Sequence, residues 1–286
     1  GFFDGVHLGH QQVIRQTLVE ARQHDALAVV ITFDQHPNTV VAPHRVPLLI
    51  QSLDQKLRAL GELAPDAIWL LHFDRALSRL SPEQFLGFLR EHLGRLRSIC
   101  VGANFRFGYR RTGDVALLRT LGQRLGFSVH GLSVLALDGT PISSTRIRQA
   151  IAAGRLDAVA QMLGRPYALA GRVVRGDGLG RQLGFPTANL DTTGRALPPR
   201  GVYAARCPVD EHVYRAVLNI GTRPTVSPGA QTLRVEVHLL DFTGDLYDRE
   251  LEVIPVEKLR EERRFDSLEA LREQIQADIV QARRGV

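Results

Sequence analysis

The pattern of apolar and polar positions divides the chain into two textures. Between 10 and 24, Val13, Ile14, Leu18 and Ala21 recur at helical spacing and predict an amphipathic helix. A continuous apolar run from Ala26 to Phe33 predicts a buried strand of the parallel-sheet kind. It ends in Thr32-Phe33-Asp34-Gln35-His36-Pro37, a loop at a strand's carboxyl end, where ligands gather in open α/β sheets. Helix 54–63, strand 67–72, helix 82–94, strand 98–102, helix 113–124 and strand 127–130 continue the alternation. Ser81-Pro82, with Glu83 and Gln84 behind it, is a strong helix start. Helices 143–153 and 155–163 close this half, the second ending at Gly164 with Pro166 just beyond. These residues predict an α/β layer domain.

From Tyr167 onward the helical period gives way to short β-rich runs at 167–174, 202–208, 213–220, 233–240 and 250–257. Glycine and proline clusters separate them, which predicts an antiparallel barrel or sandwich. Leu268 to Val280 reads as a terminal helix with Leu271, Ile275 and Ile279 on its inner face. The expected domains are therefore 1–165 and 166–286, each long enough for its own core.

Composition narrows the function. A hydrophobic fraction of 44% and a charged fraction of 23% are those of a globular chain. No apolar run is long enough to span a bilayer and no signal peptide opens the sequence, so the expected location is cytoplasmic, without a membrane partner. Cys100 and Cys207 lie far apart and read as buried thiols rather than a disulfide or metal site. The net charge of +6 comes from arginines scattered among acids, which favours anionic small molecules over nucleic acid. Nothing in the sequence argues for an oligomer. Lysine occurs only at 56 and 258, and neither follows a glycine, so there is no P-loop. A KMSKS motif is equally absent, which argues against a class I aminoacyl-tRNA synthetase.

Candidate chemistry begins at once, in GFFDGVHLGH. His7 and His10 stand three apart, on one face of the first helical turn, where unpaired N–H groups and the positive dipole end attract phosphate. Gly5 and Gly9 leave room for a phosphate to approach. Further on, GANFRFG alternates Phe105 and Phe107 with Arg106. The rings either line a flavin or adenine slot or plug the core edge. ISSTRIR at 142–148 sets hydroxyls at a helix start, able to cap the backbone or, with Arg146, to hold a triphosphate. In the second half, Gly176, Gly178, Gly180 and Gly184 precede FPTANL, where Thr187 and Asn189 fall on one side of an extended segment. Their oxygens suit a hard cation carrying ATP, under a glycine loop able to close over phosphates. Glu236 lies on a strand whose neighbours Val235 and Val237 are apolar.

GFFDGVHLGH resembles the nucleotide-binding signature of the bacterial bifunctional riboflavin kinase/FMN adenylyltransferases. ISSTRIR is similar to that family's second motif, and GRQLGFPTANL to its riboflavin kinase signature. LNIGTRPTV (218–226), VEVHLLDF (235–242), GDLYDREL (244–251) and LREERRF (259–265) follow in the family's order. The resemblance implies a Rossmann-like nucleotidyltransferase domain and a flavokinase β-barrel. It implies ATP, riboflavin and FMN as partners, Mg2+ carried with ATP, and flavins as substrate and product. The adenylyltransferase site would then comprise Phe3, Asp4, His7, Gly9, His10, Asn104, Phe105, Arg106, Ser144, Thr145 and Arg146. In the kinase, the glycine loop with Pro186, Thr187 and Asn189 would organise Mg-ATP, with Thr187 and Asn189 as cation ligands. Glu236 would be the general base, and Arg223, Arg260 and Arg263 substrate contacts.

The chain departs from the family pattern at Phe2, usually asparagine, at Gln35, usually proline, and at Asn104, usually aspartate. It also opens inside the first signature, which in relatives follows a short strand, and its one methionine is Met162. The expectation is a competent flavokinase with a weakened adenylyltransferase, whose second activity an upstream segment would partly restore. A kinase-only enzyme and a nucleic-acid-binding or scaffolding protein are the other classes left open.

Overall fold

His7 caps the first helix, α1 (Leu8–Gln23), its Nδ1 accepting from the His10 N–H at 3.4 Å. The inner face of α1 holds Ile14 and Ala21 as the spacing predicts, but also the buried polar side chains Gln11 and Glu20. Both are satisfied: Gln11 Nε2 donates to Val6 O and Leu163 O, and Glu20 pairs with His130 at 3.1 Å.

The computed structural model describes residues 1–223 and 232–285, and only the backbone of Arg223 and Thr232. The chain forms two compact units, one of residues 1–48, 53–146 and 162–164, the other of 49–52, 147–161 and 165–286. The division interleaves instead of falling at one point. Leu49 explains part of this, because it exchanges backbone hydrogen bonds with Gly194 and Ala196 of the second unit.

In the first unit, α1 is followed by β1 (Val29–Phe33), α2 (Asn38–Val41), α3 (Leu53–Gly61), β2 (Ala67–Leu71), α4 (Pro82–Leu93), β3 (Ser98–Gly102), α5 (Val115–Leu125) and β4 (Ser128–Leu132). Ser81 and Gln84 form a full capping box on α4, and Gly126 ends α5 in the left-handed conformation. β1 pairs in parallel with β2, and β3 in parallel with β4, as two separate two-stranded sheets. The run 26–33 is thus shorter as a strand than expected: Leu27 is 75% exposed, and β1 alternates half-buried and buried positions. Its half-buried residues Val29, Ile31 and Phe33 border a cavity, which removes the second covering layer. The main core gathers Leu86, Leu89, Val101, Phe107, Leu118 and Leu121. A small hairpin, β5 (Ala136–Leu137) with β6 (Thr140–Pro141), leads into α6 (Ser144–Ala152) and α7 (Leu156–Leu163), most of whose residues belong to the second unit.

The second unit is a closed antiparallel barrel. β7 (Leu169–Val174), α8 (Leu179–Gln182), β8 (Ala188–Asp191), β9 (Gly201–Val209), β10 (His212–Arg223), β11 (Thr232–Leu239), β12 (Glu250–Arg260) and the terminal helix α9 (Leu268–Gly285) follow in order. Around the barrel the strand order is β10-β11-β8-β7-β12-β9, closed by β9 pairing with β10. Ile279 and Ala282 of α9 pack on Val202, Ala204 and Val217. The helix runs five residues beyond the expected end at 280.

Candidate active sites

The first signature is a strained turn. Phe3 has φ of 54° and Val6 of 41°, a left-handed conformation that costs a β-branched residue most. Val6 is held there by burial against Ile14, Val30, Ala59 and Leu60. The turn delivers His7 and His10 with rings stacked 3.6 Å apart. Gly9 has a use that spacing does not disclose: a Cβ there would lie 3.2 Å from the His7 ring, so its absence makes room for the imidazole. Phe3 meets the His10 ring edge-on at 5.1 Å. Burial first, then His7 and the terminal amine, pushes His10 well below its ordinary value, so the ring is neutral at pH 7. Its buried Nδ1 has no hydrogen-bond partner among the described residues.

Phe3, His7, Gly9, His10, Asn104, Phe105 and Arg106 all line one cavity of about 1930 Å³. Both readings of the aromatic loop hold in part. Phe107 is buried in the core, whereas Phe105 stacks on it at 5.6 Å and also borders the cavity. Arg106 pairs with Asp114 at 3.2 Å. Ser144 Oγ donates to Asp4 O at 2.9 Å, tying the second motif to the first. Thr145 is exposed. Arg146 is turned to the small hairpin, donating to Leu137 O at 3.1 Å and Thr140 O at 2.6 Å.

In the barrel, Asn189 and Glu236 are cross-strand partners of β8 and β11. The glycine loop lies over them. A Cβ on Gly176 would collide with the Asn189 carboxamide, and one on Gly180 would reach Thr187 Oγ1 at 3.0 Å. Gly178 and Gly184 adopt φ of 73° and 90°, which allows the loop to enclose the short helix α8 where an irregular loop is expected. Pro186 O accepts from His238 Nδ1 at 2.7 Å.

The sequence reading missed Arg234. Its guanidinium donates to Asn189 Oδ1 at 3.0 Å and pairs with Glu236 at 3.0 Å and Asp177 of the glycine loop at 3.1 Å. The i, i+2 spacing to Glu236 was the available signal, since alternate strand residues share a face. Arg260 forms a bidentate pair with the buried Asp278, which ties the end of β12 to α9. Arg263 donates to Gln274 and covers the Phe265 ring at 4.9 Å. The Arg223 side chain and the end of the 218–226 segment lie outside the described residues. Cys207 is buried as expected, but Cys100 is only half-buried, and both are free thiols.

Residues 1–146 match the family model described as FAD synthetase, and residues 163–286 the one described as riboflavin kinase. The bifunctional riboflavin kinase/FMN adenylyltransferase of Pseudomonas fluorescens is 42% identical over 284 residues, covering 99% of this chain and 90% of the relative. That of Escherichia coli is 40% identical over 285 residues, with the same coverage. The crystal structure of a macrolide-efflux protein from Streptococcus pneumoniae matches with a TM-score of 0.83 at 29% identity, over 99% of this chain and 92% of that one. Both halves match in the order in which their motifs occur, and the chain belongs to the bifunctional riboflavin kinase/FMN adenylyltransferase family.

Proposed function

We propose that the chain phosphorylates riboflavin with ATP to FMN in domain 166–286, and adenylylates FMN with ATP to FAD and pyrophosphate in domain 1–165. The observation that carries this reading is the match of each half to its own family model.

In the kinase, Glu236 takes the proton of riboflavin's ribityl 5′-hydroxyl. The freed oxygen attacks the γ-phosphorus as the bond to the ADP oxygen breaks. The hydroxyl of Thr187 and the carboxamide oxygen of Asn189 are hard donors beneath the glycine loop, and they would hold a divalent cation. When bound, Mg2+ supplies charge neutralisation at the transferring phosphoryl group. Arg234 supports the arrangement by fixing Asn189 and Glu236 on one side of the barrel.

In the first domain an FMN phosphate oxygen attacks the α-phosphorus of ATP, and pyrophosphate leaves with the electrons of the broken P–O bond. No covalent enzyme intermediate is needed, so the protein contributes positioning and charge stabilisation. The His7–His10 pair lies at the amino end of α1, and its N–H groups serve developing charge on the phosphates. Ser144 fixes the turn, and Asn104, Phe105 and Arg106 line the same cavity as the histidine pair. Among the described residues no helix is long and apolar enough to cross a membrane. Free thiols fit a reducing compartment, and we place the enzyme in the cytoplasm.

Incubation with riboflavin and Mg-ATP, followed by separation of the flavins, tests this. FMN and FAD together are expected. FMN alone would mean a kinase only, and unchanged riboflavin would favour a binding or scaffolding protein.

A further inference from the structure

One side chain of the barrel holds the very acceptors that the kinase reading needs. Arg234 of β11 donates from Nε to Asn189 Oδ1 at 3.0 Å and from Nη1 to Asp177 Oδ2 at 3.1 Å. Its Nη2 pairs with Glu236 at 3.0 Å, with the Arg234 side chain 27% exposed and that of Glu236 22%. Gly176, next to Asp177, lies against the Asn189 carboxamide in space that a Cβ would fill. One guanidinium thus gathers a carboxamide oxygen of β8, a carboxylate of β11 and a carboxylate of the glycine loop.

The decisive atom is Asn189 Oδ1. In the kinase reading it is a ligand of the divalent cation carried with ATP, and in the structure it already accepts from a cation, the guanidinium. A donor set that gathers one positive charge suits another. Both cannot use that oxygen at low cost, because a single and a double positive charge a few ångströms apart repel strongly in a partly shielded site. Arginine cannot relieve the repulsion by losing a proton, so it must move. The arrangement described is therefore the one that precedes nucleotide binding. Asn189 and Glu236 stay in place without it, since they are register partners in a ladder that continues through Val235 with Leu190 and Val237 with Ala188.

We propose that Arg234 is a stand-in cation of the kinase site. It holds Asn189, Glu236 and the glycine loop before nucleotide binds, and gives up Asn189 and Glu236 when Mg-ATP arrives. Glu236 is then released for the riboflavin hydroxyl only in the nucleotide complex. The proposal rests on the kinase reading of the second domain. Two consequences separate it from a permanent structural tie. Arg234 opposes nucleotide binding instead of assisting it, and its hold on the glycine loop counts only until nucleotide is bound.

The test uses the full chain and its Arg234→Gln and Arg234→Lys variants. FMN formation from riboflavin is measured as kcat and KM for ATP, and FAD formation from FMN in the same samples reports the first domain. Arg234→Gln is expected to lower KM for ATP about three- to tenfold, the scale of a partly exposed charge pair that binding no longer has to break, with kcat within about threefold. Arg234→Lys keeps a competing charge and should return KM most of the way to that of the unaltered chain. Amide exchange across 175–184 gives a readout independent of turnover, with the imido analogue of ATP and Mg2+ as the probe. Without the analogue, exchange should be faster in Arg234→Gln than in the unaltered chain; with the analogue saturating, the two should agree.

A raised KM for ATP in Arg234→Gln would overturn the proposal and make Arg234 a phosphate contact. A kcat loss beyond about tenfold, with FAD formation intact, would overturn it too and make Arg234 a lasting support of Asn189 and Glu236. An exchange difference that persists with the analogue, or is absent without it, would have the same force. Equal loss of both activities would assign Arg234 to folding. If the unaltered chain makes no FMN, the kinase reading itself fails; FMN formation with an unchanged KM in Arg234→Gln would sink this proposal alone.

Discussion

Asn189 and Glu236 face each other across β8 and β11, and the guanidinium of Arg234 bonds to both. The proposed cation ligand and the proposed base therefore share one rigid cross-strand position. Glu236→Gln keeps the size and hydrogen bonding of the side chain and removes the base. FMN formation is expected to fall by about 10²–10⁴-fold, the usual worth of a general base. FAD formation from supplied FMN should survive. Loss of both activities would make Glu236 structural.

Arg234 also ties Asp177 to the barrel, so the glycine loop should loosen without it. Arg234→Gln is expected to speed amide exchange across 175–184 several-fold, since exposed ion pairs contribute about 0.2–1 kcal/mol each. Unchanged protection, measured by hydrogen exchange, would show that the loop is held by its own backbone turns.

Residues 166–286 hold the glycine loop, Thr187, Asn189, Glu236 and a barrel whose strands all pair within the same stretch. A fragment of these residues is expected to phosphorylate riboflavin and to make no FAD. A folded fragment lacking kinase activity would refute the split.

His10 gives the first domain an acid-sensitive stability. Its folded value lies well below 6.5, so below about pH 6.5 the unfolded chain binds a proton that the folded chain resists. The stability associated with the neutral ring is present above pH 6.5 and is lost as pH falls toward the folded value. The slope is at most about 1.4 kcal/mol per pH unit for one group. Thermal unfolding of His10→Asn between pH 5 and 8 should show a flatter acid limb than the unaltered chain. Identical profiles would reject the assignment.

The thiols provide an independent check on packing. Burial, then Glu252, pushes Cys207 up to about 12, and burial raises Cys100 as well. At pH 8 about one Cys207 in 10⁴ is thiolate, and the side chain is inaccessible. Alkylation of the native protein should therefore modify Cys100 slowly and Cys207 only after unfolding, as read by peptide mass. Equal labelling rates would contradict the barrel interior described above.

Periodicity disclosed the elements long enough to show it. α1 announced itself through Val13, Ile14, Leu18 and Ala21, and α9 through Ile275 and Ile279. The four residues of α8 and the two-residue strands β5 and β6 are too short to carry a period. Motifs disclosed His7, His10, Ser144, Asn189 and Glu236 as candidates. They were silent on Arg234, whose partners come from the glycine loop and two strands, and on the pairing of Arg260 with Asp278. Such partners are fixed by three-dimensional closure, and no local spacing encodes them.

The closure of the barrel has a consequence for synthesis. β12 supplies the partner of both β7 and β9, yet it is the last strand of the chain to be made. Roughly 90 residues separate the end of β7 from the end of β12. At about 5–20 residues per second, β7 waits on the order of 5–20 s on the ribosome for its β12 partner, and β9 a shorter time for the same strand. The kinase half therefore closes only once β12 has been made, and a chain interrupted before Arg260 carries the riboflavin signature without a closed barrel to hold it.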